Sequence, residues 1–415
     1  MRNDEELKVG RRLHIKKPVK YMSCPQIHRA DYRLQLERRW EPLVWLALAL
    51  IPYLQKELWL YLLLASAIFF SPVVPAKPMG LPVVGFWLGW GFCASLWSME
   101  PGQAMVHWIK EMAVILGGIG AGQYLKRKPV GWGIFFTFSL PVIFLGAVQA
   151  IKKSTYPLEW VSPERAPGVF TRITGTLGNP NLFGEYLSFL LLLALGVGLA
   201  GLNINRQKPG CRLRRWCSTG GWCLVLASLY ALLLYPTFSR TSWWSAIIGL
   251  LSIVIPEKRR GWLRSGVILL LLLVLLQPLY LPAIAGQRSL SHGTLGYRLK
   301  IWAGTWDLIK KFPYSGVGSG NFSRYYPFFS NYQADHAHNL YLQIVVEKGF
   351  PGLLIFFVIL NHVFSLPAGG FADRGVKAAL FTQVVAGVAE FVWAAPLMLC
   401  LFWLGYGYLM EAGDG

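Results

Sequence analysis

The amino-acid sequence predicts an all-α protein, a polytopic membrane helix bundle of about twelve transmembrane helices with a large helical extracytoplasmic loop. Of the 415 residues, 54% are hydrophobic and only 14% are charged, whereas a soluble domain has about a quarter of charged residues. Mean hydropathy is +0.43. Apolar runs such as 182–202 and 266–284 recur along the chain, and a helix needs roughly 20 apolar residues to cross a bilayer. These features indicate a membrane protein.

The predicted spans follow one another through short connections and two long ones. They lie at 41–55, 57–73, 81–98, 104–123, 130–150, 182–202, 221–237, 242–256, 262–284, 339–363, 376–392 and 394–411. The expected organisation is a basic cytoplasmic tail at 1–40, spans 1–9 at 41–284 with an outer loop at about 151–181, an extracytoplasmic loop at 285–338, and spans 10–12 at 339–415.

Basic residues orient these spans. Blocks of Lys and Arg follow spans 4, 6, 8 and 10, for example at 126–128 and 258–260. Because such blocks stay on the cytoplasmic side, both termini are predicted to be cytoplasmic and both long loops to lie outside. The net charge of +20 is therefore explained by topology. The expected partner is the lipid bilayer of a bacterial cytoplasmic (inner) membrane, and no nucleic acid is expected.

The larger outer loop has its own local pattern. Residues 297–311 are predicted to form a short amphipathic helix at the membrane surface, with Trp302 and Trp306 as interfacial anchors. The glycine-rich stretch from Gly316 to Gly320 is like a phosphate loop, but no strand precedes it and no Lys-Ser/Thr pair follows. We therefore interpret it as a turn.

The polar residues at the outer ends of the spans are the candidates for chemistry. Arg172, Arg240 and Arg298 all fall on the outer side, where the positive-inside rule disfavours arginine. A guanidinium group is a planar fork of donors that matches phosphate oxygens. His336 and His338 precede span 10 on the same side, and a histidine can accept a proton near neutral pH. The set predicts a phosphate or diphosphate site beside a general base.

Charged residues within the spans form a second group. Lys110 and Glu111 lie in span 4 as a candidate structural pair, while Glu185 and Glu390 lie near the outer ends of spans 6 and 11. Ionisable groups at membrane depth are costly and face the bundle interior or a cavity. We expect Glu185 and Glu390 to flank the outer cavity as alternative bases or as residues that orient one. The sequence has no CxxC pair with nearby histidines, so no zinc site is predicted.

On these residues the chain resembles the O-antigen ligase and polymerase superfamily. The main signal is His338-Asn339, nine residues, then Gly349-Phe-Pro-Gly352, which is similar to the ligase signature of His and Asn, Ser or Gln, nine residues, then Gly-x-x-Gly/Thr/Tyr. The supporting matches are Asn179-Pro-Asn181 after Arg172, Ser239-Arg240, Arg298 with Trp302, and the loop at 316–322. The resemblance covers about residues 165–360.

The resemblance implies a GT-C-like, metal-independent inverting glycosyltransferase that uses no cofactor. Its donor would be a glycan on undecaprenyl diphosphate at the outer face of the membrane. His338 would be the catalytic base, and Arg172, Arg240 and Arg298 would bind the diphosphate. The expected supporting residues are His336, Asn339, Asn179 and Asn181 in or beside the matched segments, together with Glu185 and Glu390 among the charged residues of the spans. Both histidines remain candidates for the base, although the spacing to Gly349 favours His338.

The resemblance leaves the acceptor open. A ligase transfers the glycan to a lipid A-core sugar, a polymerase to another lipid-linked repeat, and other relatives to a protein hydroxyl. Outside the superfamily, a lipid-linked glycan transporter would be expected to show inverted repeats and charges at mid-membrane depth. A scaffold with a lipid-diphosphate site would be expected to use an outward Asp, for which Asp335 is the candidate in the loop before the His motif.

Overall fold

The computed structural model describes residues 81–129, 131–152, 172–207, 219–254 and 293–411, together with Leu46 and Ala49. Within these segments every regular element is helical. The helices are α1 Leu81–Leu96, α2 Pro101–Arg127, α3 Gly131–Lys152, α4 Pro180–Gln207, α5 Thr219–Leu234, α6 Arg240–Val254, α7 Gly293–Lys311, α8 Phe322–Tyr325, α9 Leu340–Ser365, α10 Phe371–Ala386 and α11 Pro396–Met410. Short 3-10 turns occupy Gly175–Leu177, Tyr235–Thr237, Tyr326–Phe328 and Val392–Ala394.

Five stretches are long and apolar enough to cross a membrane. They are Pro101–Arg127, Gly131–Lys152, Pro180–Leu202, Gly220–Thr237 and Leu340–Ser365. The apolar helices at Pro82–Leu96 and Pro396–Met410 are shorter. The described part of the chain is therefore an all-helical bundle suited to a membrane, as predicted. The predicted tail at 1–40 and the spans at 57–73 and 262–284 lie outside the described residues, as does most of 41–55, so the count of twelve stays a prediction.

One predicted span has the wrong boundaries. Helix α10 runs over Phe371–Ala386 rather than 376–392. It begins early because Asp373 in its first turn pairs with Lys126 at the end of α2, at 2.5 Å. It also ends early, since residues 387–391 are not helical and are followed by the turn at Val392–Ala394. Glu390 therefore lies in an irregular segment rather than on a helix.

Helices α2 and α11 pack closely side by side and run parallel. A Cβ atom on Gly122 would lie 1.9 Å from the Leu404 carbonyl oxygen, so only glycine allows this approach. At the same end of the pair, Arg127 bonds Glu411 at 2.8 Å. Lys126, Asp373, Arg127 and Glu411 thus form a charged end of the bundle. The starts of α4 and α9 lie at the opposite end.

Helix α9 is broken at Gly349, which has φ 68° and ψ 179°. Pro351 follows it, so the carbonyl of Glu347 has no helical donor. The backbone N–H groups of Val317 and Gly318 instead donate to the carbonyls of Val346 and Glu347, at 2.8 and 3.0 Å. The glycine-rich segment is therefore a turn, as predicted, and it satisfies the carbonyls that the break exposes.

The large loop is helical where it is described. Helix α7 confirms the predicted helix at 297–311 and begins a little earlier, at Gly293. The two tryptophans on it differ in exposure. Trp302 is 8% exposed, and the ring centroid of Trp306 lies 6.2 Å from that of Phe350. The prediction of an interfacial anchor is wrong for Trp302, which is buried, whereas Trp306 is half-buried and its role as an anchor stays a prediction.

Candidate functional site

The carboxylate of Glu390 is the hub of the candidate site. One of its oxygens, Oε2, accepts hydrogen bonds from Arg298 at 2.7 Å and from the Asn181 side-chain amide at 2.8 Å. The other, Oε1, lies 2.9 Å from Nδ1 of His338 and 3.8 Å from Nε2 of His336. Glu390 is 1% exposed. Residues from three distant parts of the sequence, at 181, 298 and 336–338, therefore meet on one buried carboxylate.

Arg172 joins this cluster through Asn181. Its Nη2 donates to Oδ1 of Asn181 at 2.6 Å, and its Nε donates to the Thr237 carbonyl at 2.8 Å. Asn179 fixes the start of α4, because its side chain accepts from the backbone N–H groups of Asn181 and Leu182. Pro180 at the first helical position is typical of such a start. The Asn179-Pro-Asn181 segment thus caps α4 and links Arg172 to Glu390.

Asn339 fixes the start of α9 in the same way. Its side chain accepts from the N–H groups of Tyr341 and Leu342 and donates to the Val388 carbonyl at 2.7 Å. This ties the segment that carries Glu390 to the residue next to His338. His338 itself has φ 48°, which is rare for a residue other than glycine. Strain of this kind persists only where surrounding contacts enforce it, and it clusters at functional sites.

The charges of the cluster decide the role open to Glu390. Burial alone would raise the pKa of the Glu390 carboxyl, but its interactions with His336, His338 and Arg298 outweigh burial and hold the pKa well below its usual value. The group is therefore an ionised acceptor at neutral pH. Since a carboxylate only accepts, Nδ1 of His338 is the donor in their contact, which leaves Nε2 as the nitrogen that accepts a proton in the neutral imidazole. Of the two roles expected for Glu390, orientation of a base fits better than acting as the base.

Two other predicted site residues stand apart from the hub. Glu185 lies one turn deeper in α4, where its carboxylate accepts from Ser242 at 2.7 Å and from Ser245 at 3.4 Å. Among the described residues it does not touch the Arg and His groups. Arg240 is the first residue of α6 and is exposed, and no residue in the described segments pairs with it. It follows Ser239, whose hydroxyl oxygen lies 2.7 Å from that of Ser242.

The same cluster is the place where a metal ion would fit best among the described residues. His336, His338 and Glu390 each offer one ligand atom, and these atoms lie within 4.8 Å of one another. Arg298 and Asn181 already occupy Oε2 of Glu390, and a guanidinium in contact with a ligating carboxylate opposes a cation. The prediction that the protein uses no metal stays a prediction for experiment.

Sequence reasoning missed a second polar cluster beside the site. Glu111 pairs with Lys348 at 2.8 Å rather than with its neighbour Lys110. Lys348 also donates to the Ser319 hydroxyl at 2.7 Å, and the Trp87 indole donates to Glu111 at 3.1 Å. The signal in the sequence was a lysine one residue before the glycine of the His motif. Its partner lies 237 positions away.

This polar cluster lines a cavity of about 440 Å³ that reaches His336. Neither His338 nor any of the three candidate arginines lines it. The rings of His336 and His338 have centroids 4.3 Å apart. The cavity thus reaches the site through His336, whose Nε2 lies nearest Oε1 of Glu390, whereas Arg298 and Asn181 contact Oε2.

Comparison with known families gives a match over part of the chain. Residues 223–357 match the family model Wzy_C, described as O-Antigen ligase. The match includes Arg240, Arg298 and His338, while Arg172 and Glu390 lie outside it. A comparison with curated proteins gave no match. Members of the Wzy_C family are glycosyltransferase-like enzymes. Residues 223–357 are therefore similar to the O-antigen ligase family, and the membrane-suited helices of the described segments fit that similarity.

Proposed function

We propose that the chain is an O-antigen ligase-like, metal-independent glycosyltransferase that moves a glycan from undecaprenyl diphosphate to an acceptor hydroxyl with inversion. The observation that carries this proposal is the contact between Nδ1 of His338 and the buried carboxylate of Glu390, with Arg298 on the same carboxylate. A base oriented by a carboxylate, next to donors for an anion, suits transfer from a diphosphate leaving group.

Each group has one part in the reaction. Nε2 of His338 takes the proton of the acceptor hydroxyl, and that oxygen attacks the anomeric carbon of the donor sugar. The bond from this carbon to the diphosphate oxygen breaks, and its electron pair leaves with the diphosphate. Arginine side chains stabilise the growing negative charge. Glu390 remains ionised throughout and stabilises the imidazolium of His338, as the carboxylate does in a Ser-His-Asp triad.

The three arginines divide this task unequally. The charge of Arg298 is partly compensated by Glu390 at 2.7 Å, and Arg172 is engaged by Asn181 and Thr237. Arg240 is exposed and has no partner among the described residues. We therefore assign the main electrostatic contact with the donor diphosphate to Arg240, and a positioning part to the other two.

An apolar groove supports a lipid-linked donor. It lies between α4, α5 and α6, has a volume of about 500 Å³, and is lined by side chains such as Leu191 and Leu250. Its outer end is formed by Tyr235 and Trp243, close in sequence to Arg240. A polyprenyl chain in this groove would place its diphosphate near that arginine, because the apolar tail is driven out of water and the phosphates are not.

The site is assigned to the outer face of the cytoplasmic membrane. Lys126 and Arg127 lie at the opposite end of the bundle from the Glu390 cluster. Basic residues of this kind favour the cytoplasmic side. A carrier lipid would then present its glycan to His338 from the outer leaflet. A polymerase of the same superfamily would use the same donor chemistry and differ in the acceptor.

The experiment is a transfer assay with the purified full-length protein. Undecaprenyl diphosphate carrying an oligosaccharide is supplied with an acceptor and EDTA, and release of undecaprenyl diphosphate is measured with and without the acceptor. We expect acceptor-dependent release, loss of release in His338→Ala, and weaker release in Arg240→Ala and Arg298→Ala. Arg324→Ala is the control, because this arginine is 54% exposed and pairs with Glu100 away from the cluster.

Two results would overturn the proposal. Full activity in His338→Ala would show that His338 is not the base, and a strict requirement for a divalent cation would refute the metal-independent mechanism. Supplying a lipid A-core sugar, a second lipid-linked repeat or a protein acceptor in the same assay separates a ligase from a polymerase and from a protein glycosyltransferase.

A further inference from the structure

The cavity beside His336 is built from six parts of the chain. Its lining comes from α1, the first half of α2, the glycine-rich turn and the residues after it, residues 335–336, the start of α9 and the segment 391–399. Two indoles, those of Trp87 and Trp393, line it together with charged and amide side chains. A volume of about 440 Å³ falls in the range of small-molecule sites, which combine apolar walls with a few placed polar groups.

The polar groups of this cavity are buried and are held in place by ion pairs and hydrogen bonds. Lys348 is 3% exposed and is fixed by Glu111 and Ser319, while Gln343, 2% exposed, donates to Glu347 at 2.8 Å. Buried ionisable groups in a membrane bundle are expensive and mark functional paths. Such fixed donors and acceptors between aromatic walls suit a ligand with many hydroxyl groups and apolar C–H faces, which is the chemistry of a sugar.

The charge of the cavity argues against a diphosphate as its ligand. Its lining has two lysines, Lys110 and Lys348, and three acids, Glu111, Glu347 and Asp335. The positive and negative groups nearly balance, so the cavity does not attract an anion as the arginine side does. The acceptor and the donor diphosphate would thus have different environments on either side of the two histidines.

The position of the cavity matches the direction of attack. In a displacement with inversion the acceptor approaches opposite to the leaving group. The leaving diphosphate is assigned to Arg240, and the turn before this arginine is linked to the Oε2 side of Glu390 through Arg172, which donates to the Thr237 carbonyl. The cavity reaches His336, whose Nε2 lies nearest Oε1. An acceptor held there would have its hydroxyl next to the histidine pair.

We infer that this cavity binds a sugar unit of the acceptor, so that the acceptor is a carbohydrate rather than a protein side chain. This inference rests on the proposed function and adds the acceptor class and its binding site. His336 is then a residue of the acceptor site, while His338 receives the proton.

The test places a large side chain at the opening of the cavity. Ala394 lines the cavity and is exposed, so Ala394→Trp blocks the space without entering the core. Lys110→Gln is a second, smaller change, because Lys110 lines the cavity and has no partner among the described residues. Ala303→Trp is the matched control, since Ala303 is an exposed alanine of α7 that does not line the cavity. Thermal unfolding checks that each variant is folded.

Transfer to a soluble oligosaccharide acceptor is measured with the full-length protein, and KM is determined separately for the acceptor and for the lipid diphosphate donor. Ala394→Trp should raise the acceptor KM by roughly tenfold or more and leave the donor KM unchanged, and Lys110→Gln should raise the acceptor KM severalfold. Ala303→Trp should change neither value.

Three results would overturn the inference. They are an unchanged acceptor KM in a folded Ala394→Trp, a rise in the donor KM instead, and a wild-type protein that glycosylates a peptide hydroxyl but no sugar. A wild-type protein that releases no lipid diphosphate with any acceptor would instead refute the proposed function.

Discussion

Replacement of Glu390 by glutamine tests the hub of the site. The side chain keeps its size but loses its charge, and it gains an amide NH2 group. Glu390 receives donors on both oxygens, from His338 at 2.9 Å and from Arg298 at 2.7 Å. A glutamine can accept on one side only. Whichever way the amide turns, its NH2 group faces a donor.

The expected loss has two parts. Breaking a buried ion pair by removing one partner costs about 3–5 kcal/mol, and Arg298 is 12% exposed at its side chain. Glu390→Gln should therefore lower the free energy of unfolding by about 3 kcal/mol, since the amide keeps one hydrogen bond. Loss of an oriented general base costs roughly 10²–10⁴-fold in rate, so we expect kcat to fall by about 10²-fold or more.

The assay is acceptor-dependent release of undecaprenyl diphosphate, with thermal unfolding measured on the same preparation. Glu100→Gln is the matched control, because Glu100 pairs with Arg324 near the same end of the bundle and touches none of the site residues. A folded Glu390→Gln variant with the wild-type kcat would refute the reasoning that Glu390 orients the base.

Three further predictions concern single residues. In the folded protein the pKa of Glu390 is lowered from 4.5 despite burial. The stabilisation that the ionised carboxylate gives is therefore complete above pH 4.5 and is lost as the pH falls towards the pKa of the folded protein. The unfolding temperatures of wild type and Glu390→Gln should accordingly converge as the pH is lowered from 7. Gly349→Ala should cost about 1–3 kcal/mol or more from strain at φ 68°, while Gly102→Ala, with nothing near its Cβ position, should unfold like wild type. Arg240→Ala should weaken donor binding by about 1.5–3 kcal/mol, as measured by titration, and should leave the unfolding temperature unchanged because Arg240 is exposed.

Hydropathy predicts most of the described helices because span formation depends on local composition. The span at 339–363, for example, is helix Leu340–Ser365. The prediction fails at 376–392, where the polar residue Asp373 belongs to the helix and the apolar stretch around Val388 does not. Long-range contacts decide both ends, through Lys126 at one and Asn339 at the other.

The candidate site was predictable as a list of residues and less so as a geometry. Arg298, His338 and Glu390 were all named from the sequence, since charge at membrane depth and arginine outside are unusual. That Glu390 joins the other two depends on partners 92 and 52 residues away. No sequence pattern specifies such pairing. The strained φ of His338 and the pairing of Lys348 with Glu111 likewise appear only once the helices are packed.

The central claim is that His338, oriented by Glu390, accepts the proton of the acceptor hydroxyl. Single-turnover glycan transfer from undecaprenyl diphosphate in the presence of EDTA, compared between His338→Ala and His336→Ala, tests it most directly. We predict that His338→Ala slows the chemical step by roughly 10²–10⁴-fold, while His336→Ala mainly raises the acceptor KM. Equal rates of the chemical step in wild type and His338→Ala, or a loss confined to His336→Ala, would contradict it.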